Sequence, residues 1–519
     1  MRFSRVAAIV SVSSILMSGI ALAPVQAADD VIPAQVFAMG LAPEETGTPA
    51  VPSAYFRLWD MQTSWKDINP APGQFEWSVL DKRMAQVKKA GAKALLVLGL
   101  TPQWAGSSTA GDPRWGVGTA SPPADFATYS TYVTEVMKRY GSKISAVEVW
   151  NEANLQTFWA GTPDQMADLT QRAQSIIKSI SPSTLVLAAS TTTRLIGSVK
   201  SFFGPYSAAL KTRGYPIDAW AIHTYPAANA GPAKRYTDIL AWQQVLSNAT
   251  QADPAALTKQ VWDTEINYGL AGPGAIAHAD FDAVTSGAFV ARTYIDSIRL
   301  GIDSTFWYLW TVGNYGLIGV QMHDGTTFTI DPYNRMRQWT FGAVFKGCED
   351  PVEGVVRCFF IKKEPFFIAM SQNDADVSYS KAAALPAQTW SGQELTTAGT
   401  ITLGVGPVKF TCPGVDKTPC ALGANQSNLS SAAQTTSIVI DAMRTANQVN
   451  IIGQTSGFDV GASLQSFIKV GNQRKYHRGL AATVDANGGF TWLRNTTKKT
   501  MVYFQSGNVK SNVTIIQAR

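Results

Sequence analysis

Residues 145–155 read SAVEVWNEANL. An apolar run through Val147 and Val149 stops at Trp150, Asn151 and Glu152, although strand interiors disfavour both Asn and Glu. The run reads as a buried strand whose far end has a use for polar groups. Working outward, short apolar runs alternate with longer amphipathic ones from residue 35 onward, the signature of strand–helix units on a parallel sheet. The candidate strands are QVFAMGL from Gln35, YFRLWD from Tyr55, ALLVLGL from Ala94, AVEVWN from Ala146, TLVLAAS from Thr184, IDAWAIH from Ile217, QVWDTE from Gln260 and STFWYLW from Ser304. Between most of them lie helical patterns such as VLDKRMAQVKKAG and FATYSTYVTEVMKRYG, with Gly91 and Gly141 placed as helix stops. Eight near-continuously apolar strands with helical crossovers close best as an α/β (β/α)8 TIM barrel. An open doubly wound sheet would announce a Gly-rich phosphate turn after its first strand, and none follows here.

The chain has 519 residues, enough for roughly two to four domains. Residues 1–27 read as a signal peptide: Arg2 and Arg5, an apolar stretch broken by serines and Gly19, then Val25-Gln26-Ala27 as a cleavage site. A membrane anchor is the alternative, and the broken stretch ending at Pro24 argues against it. The expected destination is outside the cell, the periplasm or the cell envelope. The formal net charge of +6 includes the two leader arginines, and the remainder is too small to argue for nucleic acid. Charged residues make up 15% of the sequence, below the usual ~25%. Such a surface suits neutral polar partners. In an exported chain, Cys348 with Cys358 and Cys412 with Cys420 read as disulfides rather than metal clips.

The expected organisation is a catalytic barrel over 28–345, a small β domain with both disulfides over 346–420, a Ser/Asn/Gln/Ala-rich linker over 421–436, and a C-terminal β-sandwich over 437–519. Asn487-Gly488 is the strongest hairpin turn signal in that last unit.

In a barrel of this kind the site lies at the C-terminal ends of the strands. Asn151 and Glu152 end the fourth strand, His223 and Tyr225 the sixth, Glu265 the seventh, Trp310 closes the eighth, and Arg57 sits in the second. Two carboxylates facing each other suit glycosidic-bond hydrolysis: one protonates the leaving oxygen, and the other attacks the anomeric carbon or stabilises its charge. Arg57, Tyr225 and His223 would hold Glu265 ionised, Asn151 would bond a sugar hydroxyl, and Trp310 would offer a ring face. Glu148 reads as a buried network residue beneath the cleft. Trp59, Trp65 and Trp104 follow earlier strands and compete between lining the cleft and packing.

These residues resemble the retaining glycoside hydrolases of the (β/α)8 superfamily called clan A, especially glycoside hydrolase family 39. The similarity lies in motifs over roughly residues 35–345, about one barrel length. WNE at 150–152 matches the family's Asn-Glu ending strand four, and DTE at 263–265 its glutamate ending strand seven. The resemblance implies Glu152 as acid/base and Glu265 as nucleophile. It likewise implies substrate-binding roles for His223, Tyr225, Trp310 and Arg57.

The four histidines, His223, His278, His323 and His477, show no paired metal-ligand spacing, and no G-x-S-x-G elbow occurs. No metal and no cofactor are expected. The expected partner is an oligo- or polysaccharide, without nucleic acid or stable membrane insertion. A different class of function also fits: a non-catalytic carbohydrate-binding or cell-surface protein using the cleft and the C-terminal β unit, for which two matched carboxylates are unnecessary.

Overall fold

The computed structural model describes residues 31–349, 351–381, 385–395, 399–412, 420, 437–445, 448–456, 461–473, 475–484, 489–507, 509–511 and 513–516. The signal-peptide, linker and Asn487-Gly488 expectations lie outside these residues. Eight parallel strands form the barrel: β1 Phe37–Leu41, β2 Tyr55–Leu58, β3 Lys93–Val97, β4 Ile144–Glu148, β5 Leu185–Leu187, β6 Ala219–His223, β7 Gln260–Ile266 and β8 Ser304–Trp310. Each pairs with its sequence neighbours, β1 pairs with β8, and Leu187 opposite Ala219 closes the ring between β5 and β6. A two-residue strand, Thr191–Thr192, extends the pairing along β6 to Ile222 and His223.

Helices follow β2 through β8, while β1 passes to β2 without one. Their ends obey the sequence. Gly91 stops Ser78–Ala90 in the left-handed conformation (φ 73°), where a side chain would be strained. Gly141 ends Phe126–Tyr140 with right-handed backbone, its N–H donating to the Met137 carbonyl. Thr162 and Gln165 form a capping box ahead of Pro163–Ile180.

The barrel interior explains where the site lies. One inward layer is apolar, with Tyr55, Trp262 and Phe306 offset by Ala38, Ala146, Ala219 and Ala221. Successive side chains of a strand alternate faces, so two residues further on the inward positions become Gly40, Arg57, Glu148, His223 and Tyr308. Large rings thus fill the lower barrel, and a polar layer caps them.

Beyond the barrel, Val344–Cys348, Val355–Ile361 and Pro365–Ser371 run antiparallel and continue into Val408–Thr411, Ala387–Thr389 and Glu394–Leu395. Cys348 lies opposite Cys358 and is bonded to it; Cys412 and Cys420 form the second disulfide. Strand alternation gives this sheet two apolar faces. Val356, Cys358, Phe360, Phe366, Ile368 and Met370 join the same core as the barrel helices, whereas Phe359, Phe367 and Phe410 make a second core. The sheet is therefore welded to the barrel. Gly287 in helix Ala283–Arg299 permits this close approach, because a Cβ there would lie 2.4 Å from the Trp390 ring.

The C-terminal unit packs Ser437–Thr445, Gln448–Ser456 and Gly489–Asn495 against a sheet of Ser463–Val470, His477–Thr483, Thr500–Ser506 and Val509–Lys510, with Thr514–Ile516 beside it. Ile440, Val449, Ile451, Leu464, Trp492 and Phe504 fill the space between them. Trp492 is a core residue. Among the described residues no helix is long and apolar enough to cross a membrane.

Candidate active site

Arg57 is the centre of the polar layer. Its Nε and Nη2 donate to Glu148 at 2.9 and 2.8 Å, Nη2 also donates to Asn151 Oδ1 at 2.8 Å, and Nη1 donates to Glu265. Arg57 is 3% exposed and Glu148 fully buried, so the planar fork holds two carboxylates largely away from water. Burial alone would push the Glu148 carboxyl up, but the Arg57 charge and hydrogen bonds, with His223 nearby, hold it below the usual range. Glu148 is thus part of the site's foundation, as its inward strand position suggests.

Asn151 and Glu152 lie beyond the end of β4. The chain leaves the strand after Glu148, and Glu152 takes a left-handed backbone (φ 41°), a costly conformation for a residue with a side chain. Ser190, after β5, holds this bend. Its Oγ accepts from the Glu152 N–H at 2.9 Å, and its carbonyl accepts from the Ala153 N–H at 2.9 Å. Asn154 then clamps the Thr192 backbone through both ends of its amide, at 3.0 and 3.1 Å. Because a guanidinium only donates, Arg57 fixes Asn151 Oδ1 toward itself and turns the amide NH2 elsewhere.

Glu265 reaches the same place by a bulge. Trp262 points into the barrel, so strict alternation would send Thr264 inward. Instead Ile222 pairs with Asp263 and His223 with Glu265, two steps on β7 against one on β6. The extra residue re-aims Glu265. One carboxylate oxygen accepts from Arg57 and the other from Tyr225 Oη at 2.7 Å. Burial and the neighbouring Glu265 charge keep the Tyr225 phenol far above its ordinary pKa, so it remains a donor.

His223 is fully buried between the acids: Nδ1 lies 3.1 Å from Glu152 Oε1 and 3.4 Å from Glu265 Oε2, and Nε2 lies 3.9 Å from Glu148 Oε1. Burial opposes its protonation, but Glu265 and Glu152 outweigh that and raise its pKa. Glu152, His223 and Glu265 each place one atom within 4.8 Å of the others, the one set among the described residues that could hold a metal ion. Arg57 and Tyr225 already occupy both oxygens of Glu265, which suits an anion held by donors.

Six of the seven residues read from the sequence meet here: Arg57, Asn151, Glu152, His223, Tyr225 and Glu265. Trp310 does not join them. On β1, Met39 and Leu41 are two residues apart, yet they pair with Trp307 and Trp310, three apart on β8. The irregularity turns Trp310 outward into the main apolar core, where it is 1% exposed. Tyr308 is the inward aromatic instead. Its ring meets Tyr225 edge-on at 6.0 Å, and its hydroxyl donates to Asp60 Oδ2 at 2.9 Å. Burial and the Glu265 charge push the Asp60 carboxyl up to about 7. Alternation from Phe306 would have found Tyr308; nothing in the sequence alone marks Asp60 or Ser190. Of the three early tryptophans, Trp59 stands beside Arg57 and clusters with Trp115 and Phe158, within 6.1 Å of each ring centroid. Trp65 is fully buried, stacked on Tyr132, and Trp104 bonds the Asn69 carbonyl.

A family model described as beta-galactosidase, Glyco_hydro_42, matches residues 56–124. No curated protein matches the chain significantly. A family 39 glycoside hydrolase from the gut symbiont Bacteroides cellulosilyticus WH2 superposes with a TM-score of 0.54 at 15% identity, covering 74% of this chain and 82% of that one. A family 39 enzyme from Xanthomonas axonopodis pv. citri is similar over 95% of this chain and 96% of its own, at 14% identity and a TM-score of 0.49. A family 39 β-xylosidase from Caulobacter crescentus covers 74% of this chain and 97% of its own, at 14% identity and a TM-score of 0.47. At such identities the first of these likenesses shows a shared fold: this chain carries the closed (β/α)8 barrel on which that glycoside hydrolase is also built.

Proposed function

We propose that the protein is a retaining glycoside hydrolase that cleaves O-glycosidic bonds of an oligo- or polysaccharide by double displacement, without a cofactor. The observation that supports it most is the pairing of Glu152 and Glu265 at the strand ends, with oxygens within 4.8 Å. Retaining enzymes keep their carboxyl groups roughly 5–5.5 Å apart, and inverting ones need about 6.5 Å or more to admit a water between them. Glu265, with a donor on each oxygen, is arranged as the ionised nucleophile. Glu152 has more access to solvent and serves as the proton carrier.

In the first step Glu265 attacks the anomeric carbon while Glu152 protonates the departing glycosidic oxygen. A water then enters, gives its proton to Glu152 and displaces Glu265, so configuration is restored. Asn151, oriented by Arg57, is placed to donate to a sugar hydroxyl, and Tyr308 with Asp60 forms the facing wall. The leader sequence and two disulfides support export to the periplasm, the cell envelope or the medium. Proton NMR of the first product formed from a cleaved glycoside tests the reading: the initial anomer should match the substrate, and the opposite anomer would refute retention.

A further inference from the structure

The small net charge of the whole chain hides a strong asymmetry. Residues 437–519 hold ten Lys and Arg against three Asp and no Glu, whereas residues 28–436 hold slightly more acids than bases. Within the C-terminal unit the imbalance is sharper still: 463–484 and 489–519 contain no acidic residue. These stretches supply every strand of one sheet, Ser463–Val470, His477–Thr483, Thr500–Ser506 and Val509–Lys510.

Alternation sorts that sheet cleanly. Leu464, Ile468, Val502 and Phe504 face the core, so Phe467, Lys469 and Tyr503 face out. Phe467 pairs directly with both Tyr503 and Arg478, making one cross-strand row. The Tyr503 ring is stacked on Phe467 at 5.0 Å, met by Tyr476 at 5.0 Å, and covered by Lys510 Nζ at 3.8 Å. Where the same strands turn, the Gly471 N–H bonds the Lys499 carbonyl, and a concave surface opens between 470–473 and Arg494, Lys498 and Lys499. Like charges gathered without acids in the same sheet repel one another and weaken the fold. An anionic partner would turn that repulsion into attraction.

We propose that this basic sheet and its adjoining concavity bind an acidic polysaccharide, a chain bearing repeated carboxylates, and tether the barrel to it. The choice of a glycan over nucleic acid or anionic lipid rests on the reading of the barrel as a glycoside hydrolase. The contact is electrostatic and spread over several cations, so it should track charge rather than sugar identity.

Titration calorimetry of the full mature protein with soluble polygalacturonate, with neutral dextran as control, tests this without any turnover. The expected result is binding to polygalacturonate alone, weakening about 10-fold or more between 50 and 200 mM NaCl as several counterions are exchanged. The double variants Lys498→Glu/Lys499→Glu and, as a milder change, Lys498→Gln/Lys499→Gln should each lose affinity, the reversal more. Both should leave barrel activity on a small soluble glycoside unchanged. Equal binding to dextran, affinity unaltered in both variants, or tighter binding to duplex DNA or phosphatidylserine vesicles would overturn the proposal. Salt-sensitive polygalacturonate binding by a protein that cleaves no glycoside would uphold this site and refute the enzymatic reading instead.

Discussion

Glu152 and Glu265 sit with oxygens within 4.8 Å of each other, although one follows β4 at a bend and the other leaves β7 through a bulge. Neither position is regular strand. Each depends on a neighbour, Ser190 for the bend and the β6 register for the bulge, so the pair is assembled by irregularity.

If the two acids have different duties, their variants should fail differently. Glu265→Ala should remove turnover on every glycoside, with azide partly restoring it as a glycosyl azide. Glu152→Ala should lose about 10²–10⁴ in kcat on glycosides with poor leaving groups. It should lose far less on activated aryl glycosides, whose leaving oxygen needs no proton. Equal losses for both variants on both substrate types would contradict the assignment.

Arg57 keeps two buried carboxylates together, and its removal should be structural as well as kinetic. Arg57→Met leaves Glu148 and Glu265 without their shared cation, a change worth about 3–5 kcal/mol for a broken buried pair. Urea unfolding of the parent and variant measures it. A difference under ~1 kcal/mol would mean that Glu148 is held mainly by something else. Glu148→Gln/Arg57→Met, which also removes one of the stranded charges, should recover part of the loss.

The strand count, the barrel and the convergence of six site residues follow from apolar periodicity and from polar groups stranded at strand ends. Such signals are local, and a closed parallel sheet turns them into a place. Trp310 shows the limit. Period-two counting cannot see that β8 spends three residues where β1 spends two, so the inward aromatic is Tyr308. Glu265 is the same effect with the opposite fortune, because its bulge brings it in. The weld between barrel and β layer was also hidden, since both faces of that sheet are apolar and only packing tells which cores they join. Averaging the charge over the whole chain likewise concealed the basic C-terminal sheet.

The placement of Tyr308 and Trp310 separates recognition from packing. Tyr308→Phe, which removes one hydroxyl at the wall, should raise KM several-fold and leave unfolding little changed at pH 5, below the folded Asp60 value of about 7. Trp310→Ala removes a fully buried ring and should cost about 3–5 kcal/mol. A conservative Trp310→Phe should leave KM unaltered. A KM effect from Trp310→Phe without one from Tyr308→Phe would place the substrate on the other side of β8.

His223 carries a pH signature. Its pKa is raised in the folded protein, so its contribution is complete below its ordinary value of 6.5 and disappears as pH rises through the folded value. The Tm difference between parent and His223→Asn should therefore be largest in mildly acidic buffer and shrink above pH 6.5. Glu148, held low, behaves oppositely: its contribution is present above the ordinary carboxylate range and is lost only at strongly acidic pH.

Asp60 titrates against the fold. Its carboxyl moves from an ordinary 3.8 up to about 7, because burial and the Glu265 charge disfavour the ionised form. The folded protein thus keeps a proton that the unfolded chain has released, and the cost of Asp60 grows as pH climbs from about 4 to about 7 before levelling off. Asp60→Asn, which cannot ionise, should be more stable than the parent at pH 8, with the advantage fading toward pH 4. The Tyr308 hydroxyl bond holds the Asp60 value down. Tyr308→Phe should therefore carry the upper end of the transition to higher pH while its lower end stays near the ordinary 3.8, and this displacement should vanish when Asp60 is already Asn. A Tm advantage for Asp60→Asn that stays constant from pH 4 to pH 8 would show that this carboxyl is not the group titrating beside Glu265.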